Sequence, residues 1–119
     1  MHRFGRAVLP TVDLDAAIEW YEAALGFGVV YDEEIFTGFR SVHVGLAGAH
    51  DPGIWLFPSD TSSRVEHPSL VLYTGDIESS EARLGRVDAD VVRPLQGEPG
   101  SRSLQVRDPS GNIIVLAEM

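Results

Sequence analysis

The chain of 119 residues contains no cysteine and no lysine, and it offers nine basic groups against eighteen acidic ones. Without thiols there can be no disulfide, no thiolate zinc site and no cysteine nucleophile, which removes several enzyme classes at once. The basic deficit leaves a net charge of −9. Such a balance repels phosphate backbones and anionic lipid surfaces, so neither nucleic acid nor a membrane is expected as a partner. Long apolar runs are missing too: none approaches the ~20 residues of a membrane span. The opening segment, MHRFGRAVLPTVDLD, has no continuous apolar stretch after its arginines. A cytoplasmic protein is the expectation. The acidic excess reads mainly as a solvated surface, with attraction of small cations as a weaker second reading.

What is present is ordinary for a globular domain: 44% hydrophobic and 23% charged residues. A domain of this length buries roughly 65% of the surface of its unfolded chain, enough for one core and too little for two. The organising feature is an internal repeat. Val8-Leu9-Pro10-Thr11-Val12-Asp13-Leu14-Asp15 aligns with Val71-Leu72-Tyr73-Thr74-Gly75-Asp76-Ile77-Glu78 at a constant offset of 63 positions. Each copy runs from an apolar strand into an aspartate suited to cap a helix, followed by an aliphatic residue.

In the first copy Leu14, Ile18, Tyr21 and Leu25 recur at helical spacing beside Ala17 and Ala24, and Gly26 ends the helix. The second helix is shorter and more polar, from Ile77 to Gly85. Three strands should follow each helix: 27–34, 38–46 and 53–58 after the first, and 89–93, 101–107 and 112–117 after the second. Turn chemistry at Pro52-Gly53, Pro58-Ser59, Pro94, Pro99-Gly100 and Pro109-Ser110-Gly111 separates them. The prediction is an α+β fold of two βαβββ modules, about 1–60 and 66–119, within one domain spanning 1–119. The last strand, Ile113-Ile114-Val115-Leu116, has no polar side chain on either face. Helices should therefore cover one side of the sheet and something else the other.

VDLDAAIEWYEAALGF, residues 12–27, and RDPSGNIIVLAEM, residues 107–119, resemble the two signature stretches of the vicinal oxygen chelate superfamily. That superfamily includes glyoxalase I, extradiol dioxygenases and bleomycin-resistance proteins. The resemblance implies eight mixed strands curled around a cleft, with helices outside and a second subunit commonly completing the site. In the superfamily's enzymes the cleft holds a divalent metal on His, Gln or Glu side chains of the first and last strands of each module. Carried onto this sequence, those positions fall at Arg6, seven residues before Asp13, at Ser69, seven before Asp76, and at Val115, seven after Asp108. For the strand without a fixed anchor, Trp55 is the match. None of the four is a competent ligand, and arginine is the worst of them because it stays protonated.

Other constellations are weaker. His43 and His67 could form a displaced metal site, while His2 and His50 read as solvated groups. Gly26-Phe27-Gly28 follows a helix and lacks the third glycine of a phosphate loop. Ser110 sits in a hairpin without a nucleophile elbow. Trp55 and Phe57 share a strand face, and Phe36 and Phe39 lie by a turn. Such aromatics usually pack in a core, yet one at a former ligand position could stack on a planar ligand. The function expected is binding or sequestration of a small molecule such as an antibiotic, by a homodimer that uses no metal or other cofactor. Arg6 and Ser69 would orient the ligand, Trp55 and Val115 would wall the cleft, and His43 would join them. The acidic surface and Arg6 favour opposite ligand charges, so no ligand is named. The alternative is a metal-dependent lyase, isomerase or dioxygenase of the same superfamily.

Overall fold

A computed structural model describes residues 1–46, 53–62 and 65–119. His50 and Pro52 lie outside them. Each half carries one strand, one helix and three strands in that order. The first comprises β1 (Ala7–Thr11), α1 (Leu14–Leu25), β2 (Gly28–Phe36), β3 (Phe39–Gly45) and β4 (Ile54–Pro58). The second comprises β5 (Pro68–Thr74), α2 (Ile77–Arg86), β6 (Asp90–Gln96), β7 (Ser103–Arg107) and β8 (Ile113–Glu118). The strands form two four-stranded mixed sheets, ordered β1-β4-β3-β2 and β5-β8-β7-β6. In each the first strand runs parallel to the last of its half, and the remaining pairs are antiparallel.

The helix boundaries follow from local chemistry. Asp13 is extended, and its Oδ1 accepts from the Ala16 N–H at 3.1 Å. Asp76 does the same for Ser79 at 3.1 Å, so both halves of the repeat begin their helix with the same cap. Gly26 closes α1 in the left-handed region, φ 74°, and its N–H reaches the Glu22 carbonyl at 2.9 Å. No glycine closes α2, which runs one residue past Gly85; Asp88, at φ 52°, turns the chain instead.

Two prolines lie inside strands. Pro94, expected to interrupt the chain, sits within β6, and Pro10 sits within β1. Both are edge strands of their sheets, where a missing N–H breaks no inner ladder, and the β6–β7 register is irregular on both sides of Pro94.

Alternation divides each strand between two environments. Leu9, Val42 and Leu56 of the first sheet join Leu104, Ile114 and Leu116 of the second in one buried cluster. Tyr21 from α1 and Ile77 and Leu84 from α2 complete it. The opposite faces are open: Val8 is 51% exposed, Val71 47% and Tyr73 67%. Within β8, Ile114 and Leu116 are buried while Val115 is only half-buried. The helices thus cover one face, and the other presents apolar side chains to solvent.

The turn 108–112 ties the halves together. The buried Asp108 carboxylate accepts from the Ser110 and Asn112 N–H groups at 2.9 Å each, from Asn112 Nδ2 at 2.9 Å and from the Tyr21 hydroxyl at 2.7 Å. Asn112 Nδ2 also donates to the Pro10 carbonyl, and Ser110 Oγ accepts from the Val12 N–H, both at 2.9 Å. Ser110, buried and so engaged, is a structural hydroxyl. Burial, reinforced by the Asp108 charge and hydrogen bond, pushes the Tyr21 phenol well above its ordinary pKa.

Candidate functional site

The open face of the first sheet forms a hollow of about 510 Å³ lined by Arg6, Val8, Tyr31, Ile35, Ser41, His43 and Trp55. Its floor is one cross-strand row. Val8 pairs with Trp55, Trp55 with His43, and His43 with Tyr31, so four neighbouring strands each contribute a side chain to the same face. The His43 ring stacks on Tyr31 with centroids 5.0 Å apart and meets Trp55 edge-on at 5.6 Å. Trp55 meets Phe57 at 5.1 Å.

Polar groups within this apolar row are few and incompletely satisfied. Ser41 Oγ lies 3.4 Å from His43 Nε2. His43 Nδ1 and Trp55 Nε1 are buried without a hydrogen-bond partner among the described residues. An unpaired buried polar atom costs about 1–3 kcal/mol, which a group arriving with a complementary donor or acceptor would offset. Burial, and after it the neighbouring Arg6 charge, lower the His43 pKa below the ordinary imidazole value. His43 is therefore a neutral ring at pH 7, able both to donate and to accept.

The second sheet carries the counterpart row. Val71 pairs with Val115, Val115 with Gln105, and Gln105 with Arg93. Trp55 stands opposite Val8 just as Val115 stands opposite Val71, the repeat partner of Val8. Ser69 is exposed, next to an irregularity in the β5–β8 register. The structure brings Arg6, His43 and Trp55 together, whereas Ser69 and Val115 lie on the other sheet and do not line the same hollow. His67 is exposed just before β5, with Nδ1 3.3 Å from the Pro68 carbonyl, and it does not line the hollow with His43. Tyr31, Ser41, Val8 and Ile35 are lining residues that sequence reasoning did not find.

The donor set can be tested against a divalent ion. Among the described residues no group of three or more His, Asp or Glu side chains is placed to hold one. A guanidinium, an indole, a hydroxyl and an isopropyl group at Arg6, Trp55, Ser69 and Val115 do not replace the water of a dication. The described residues do not fit that group.

Two βαβββ halves, each with one sheet face packed on helices and the other left open, define the class of protein. The chain belongs to the Glyoxalase/Bleomycin resistance protein/Dioxygenase superfamily, whose family model matches residues 3–116. No curated protein matches it. Among solved structures, a superfamily member from Sphaerobacter thermophilus is 25% identical, with a TM-score of 0.83 over 100% of this chain and 98% of the other. TnmS3, an antibiotic binding protein from Streptomyces sp. CB03234, is 22% identical, with a TM-score of 0.69 over 99% and 98%. The glyoxalase I of Leishmania major is 21% identical, with a TM-score of 0.80 over 99% and 87%.

Proposed function

We propose that this protein binds and sequesters a small molecule, in the manner of the bleomycin-resistance-like branch of its superfamily, without metal-assisted chemistry. The observation that carries the reading is the row Val8–Trp55–His43–Tyr31 beside Arg6: an aromatic, largely apolar floor with two unpaired buried nitrogens and one permanent cation. The superfamily's metal positions are read as lost, with Arg6, Trp55, Ser69 and Val115 in their place. A planar aromatic ligand would stack against Tyr31 and Trp55, with an acceptor directed to the indole N–H or to Arg6. Sequestration needs no more than such a floor and a few directed polar groups. The likeness to an antibiotic binding protein supports the class of ligand.

One chain supplies half of the proposed cleft. Ser69 and Val115 would reach the ligand from the second sheet of another copy, so the functional unit is proposed to be a homodimer with two clefts, acting in the cytoplasm. Arg6 and Ser69 orient the ligand, Trp55 and Val115 wall it, and neutral His43 contributes a polar edge. The second reading, a metal-dependent lyase, isomerase or dioxygenase using His43 and His67, is favoured only by the fold shared with glyoxalase I.

Native mass spectrometry of protein purified without chelator separates the two. A dimer free of stoichiometric metal, with or without a retained organic ligand, supports sequestration. Stoichiometric nickel, iron, manganese or zinc overturns it in favour of the enzyme. Once a ligand is retained, Trp55→Ala should weaken its binding about tenfold, ~1.4 kcal/mol, by isothermal titration.

A further inference from the structure

A second cavity, of about 540 Å³, opens at the seam between the two halves, within the ~300–1,000 Å³ range of small-molecule sites. It lies across the first sheet from the hollow: Ala7 and Ile54 line the seam, while their chain neighbours Val8 and Trp55 line the hollow. Its walls are apolar, formed by Leu25 and Phe27 at the end of α1 and by Leu70, Leu72 and Leu116 of the second sheet. Its polar lining comes from Tyr73 and Thr74 at the end of β5 and from Ser79, Ser80 and Arg83 on α2, where the Ser80 hydroxyl already donates to the Asp76 carbonyl.

Arg83 gives the cavity its chemical character. Its Nε donates to the Ala23 carbonyl at 2.8 Å and its Nη2 to the Glu22 carbonyl at 3.0 Å, so it caps the end of α1 from the other half. The guanidinium lies against Gly26, where a Cβ would stand 3.0 Å from Nη1. The glycine that ends the helix therefore also seats the cation. Among the described residues Arg83 meets no carboxylate, unlike Arg40, Arg102 and Arg107, each of which forms a salt bridge. Nη1 keeps its N–H groups for a further acceptor. A cation without a carboxylate, at one side of an apolar cavity and one helical turn from the Ser79 hydroxyl, is complementary to a carboxylate carried on an apolar body.

We propose that the seam is a second ligand site, for an amphiphilic carboxylate whose charged end meets Arg83 and the Ser79 hydroxyl and whose apolar body lies on Leu25, Phe27 and Leu72. Decanoate and decanol are suitable probes because they differ in charge and share a chain. In isothermal titration decanoate should bind at least tenfold more tightly than decanol, and it should shift the amide resonances of Leu25, Leu72, Ser79 and Arg83. Arg83→Gln should abolish the preference, but it also loosens the end of α1. Ser79→Glu is the cleaner variant: a carboxylate at this position suits the first turn of α2 and pairs with Arg83 four residues on. It should weaken decanoate at least tenfold, spare decanol and leave Tm unchanged or raised. Trp55→Ala should leave decanoate binding intact, which separates the seam from the hollow. Equal affinity for the two probes, shifts confined to Val8, His43 and Trp55, an unaffected Ser79→Glu variant, or no binding because a second copy fills the seam, would each overturn the proposal.

Discussion

Asp108 concentrates more of the architecture in one side chain than any apolar residue does. Its carboxylate orders its own turn through Ser110 and Asn112 and holds α1 of the other half through Tyr21. Tyr21→Phe keeps the ring and removes the hydroxyl, leaving a buried carboxylate one donor short; equilibrium denaturation should show a loss of about 1–3 kcal/mol. Asp108→Ala should cost more, because two backbone N–H groups and the phenol lose their acceptor together. His43 sets a different dependence. Its folded pKa is depressed by burial first and by Arg6 second, so the unfolded chain takes up a proton at higher pH than the folded one. The stability it contributes is complete above about pH 6.5 and is lost as pH falls through its folded value. Unfolding midpoints between pH 7.5 and 5 should decline for the wild type and flatten for His43→Phe. The sequence marked Asp108 only as part of a turn motif, because a contact between residues 87 positions apart cannot be read from either segment alone.

At the scale of elements, the caps and the repeat made both helices and the strand count legible. Asp13 and Asp76 act locally, and local chemistry is written in sequence. Trp55 and His43 of the floor were legible, but the Tyr31 side of it was not, for a reason visible in β2 and β3. Their turn pairs Phe36 with Phe39, and counting back from there would set Tyr31 opposite Val44. A bulge between Glu34 and Phe36 shifts the ladder by one, setting Tyr31 opposite His43 instead. One extra residue reverses which side chains share a face, and no residue type in DEEIFTGF announces it. Another element-level tie joins the end of β8 to α2. Arg102 bonds Glu118 at 2.7 and 3.0 Å and Glu78 at 2.7 Å, while Glu118 also accepts from the Gly100 and Arg102 N–H groups. The Arg102 hydrogen bond, followed by these backbone donors, holds the Glu118 carboxyl down to about 2. Its contribution is present above the ordinary value near 4.5 and lost as pH falls toward 2. Glu118→Gln should therefore reduce acid sensitivity in that window, measured by circular dichroism, and leave the pH 5–7.5 behaviour to His43.

The whole molecule is elongated, 49 × 34 × 25 Å, because its halves meet on their helix-covered faces and turn their other faces outward. Those outward faces carry Val8 and Phe57 on the first sheet and Val71 and Tyr73 on the second, all more than a third exposed. A chain that remains monomeric seldom leaves so much apolar surface on two faces. A two-fold axis would resolve both at once: in the proposed homodimer the first sheet of each copy would meet the second sheet of the other, and the same contact would form twice. It would also add Ser69 and Val115 to the row of Val8, Trp55, His43 and Tyr31, making two equivalent clefts. Val71→Arg tests this without touching the buried cluster, since Val71 lies on the open face and its neighbour Leu72 packs against the core. Light scattering coupled to gel filtration should give a dimer for the wild type and a monomer for the variant. Thermal unfolding of the variant should become independent of concentration, because no association remains to be coupled to folding. Affinity for any ligand retained by the wild type should fall at least tenfold in parallel, since half of each cleft is lost with the partner. A wild-type monomer that binds the same ligand at full strength would show instead that the hollow on the first sheet is complete by itself, and the open face of the second sheet would then need another explanation.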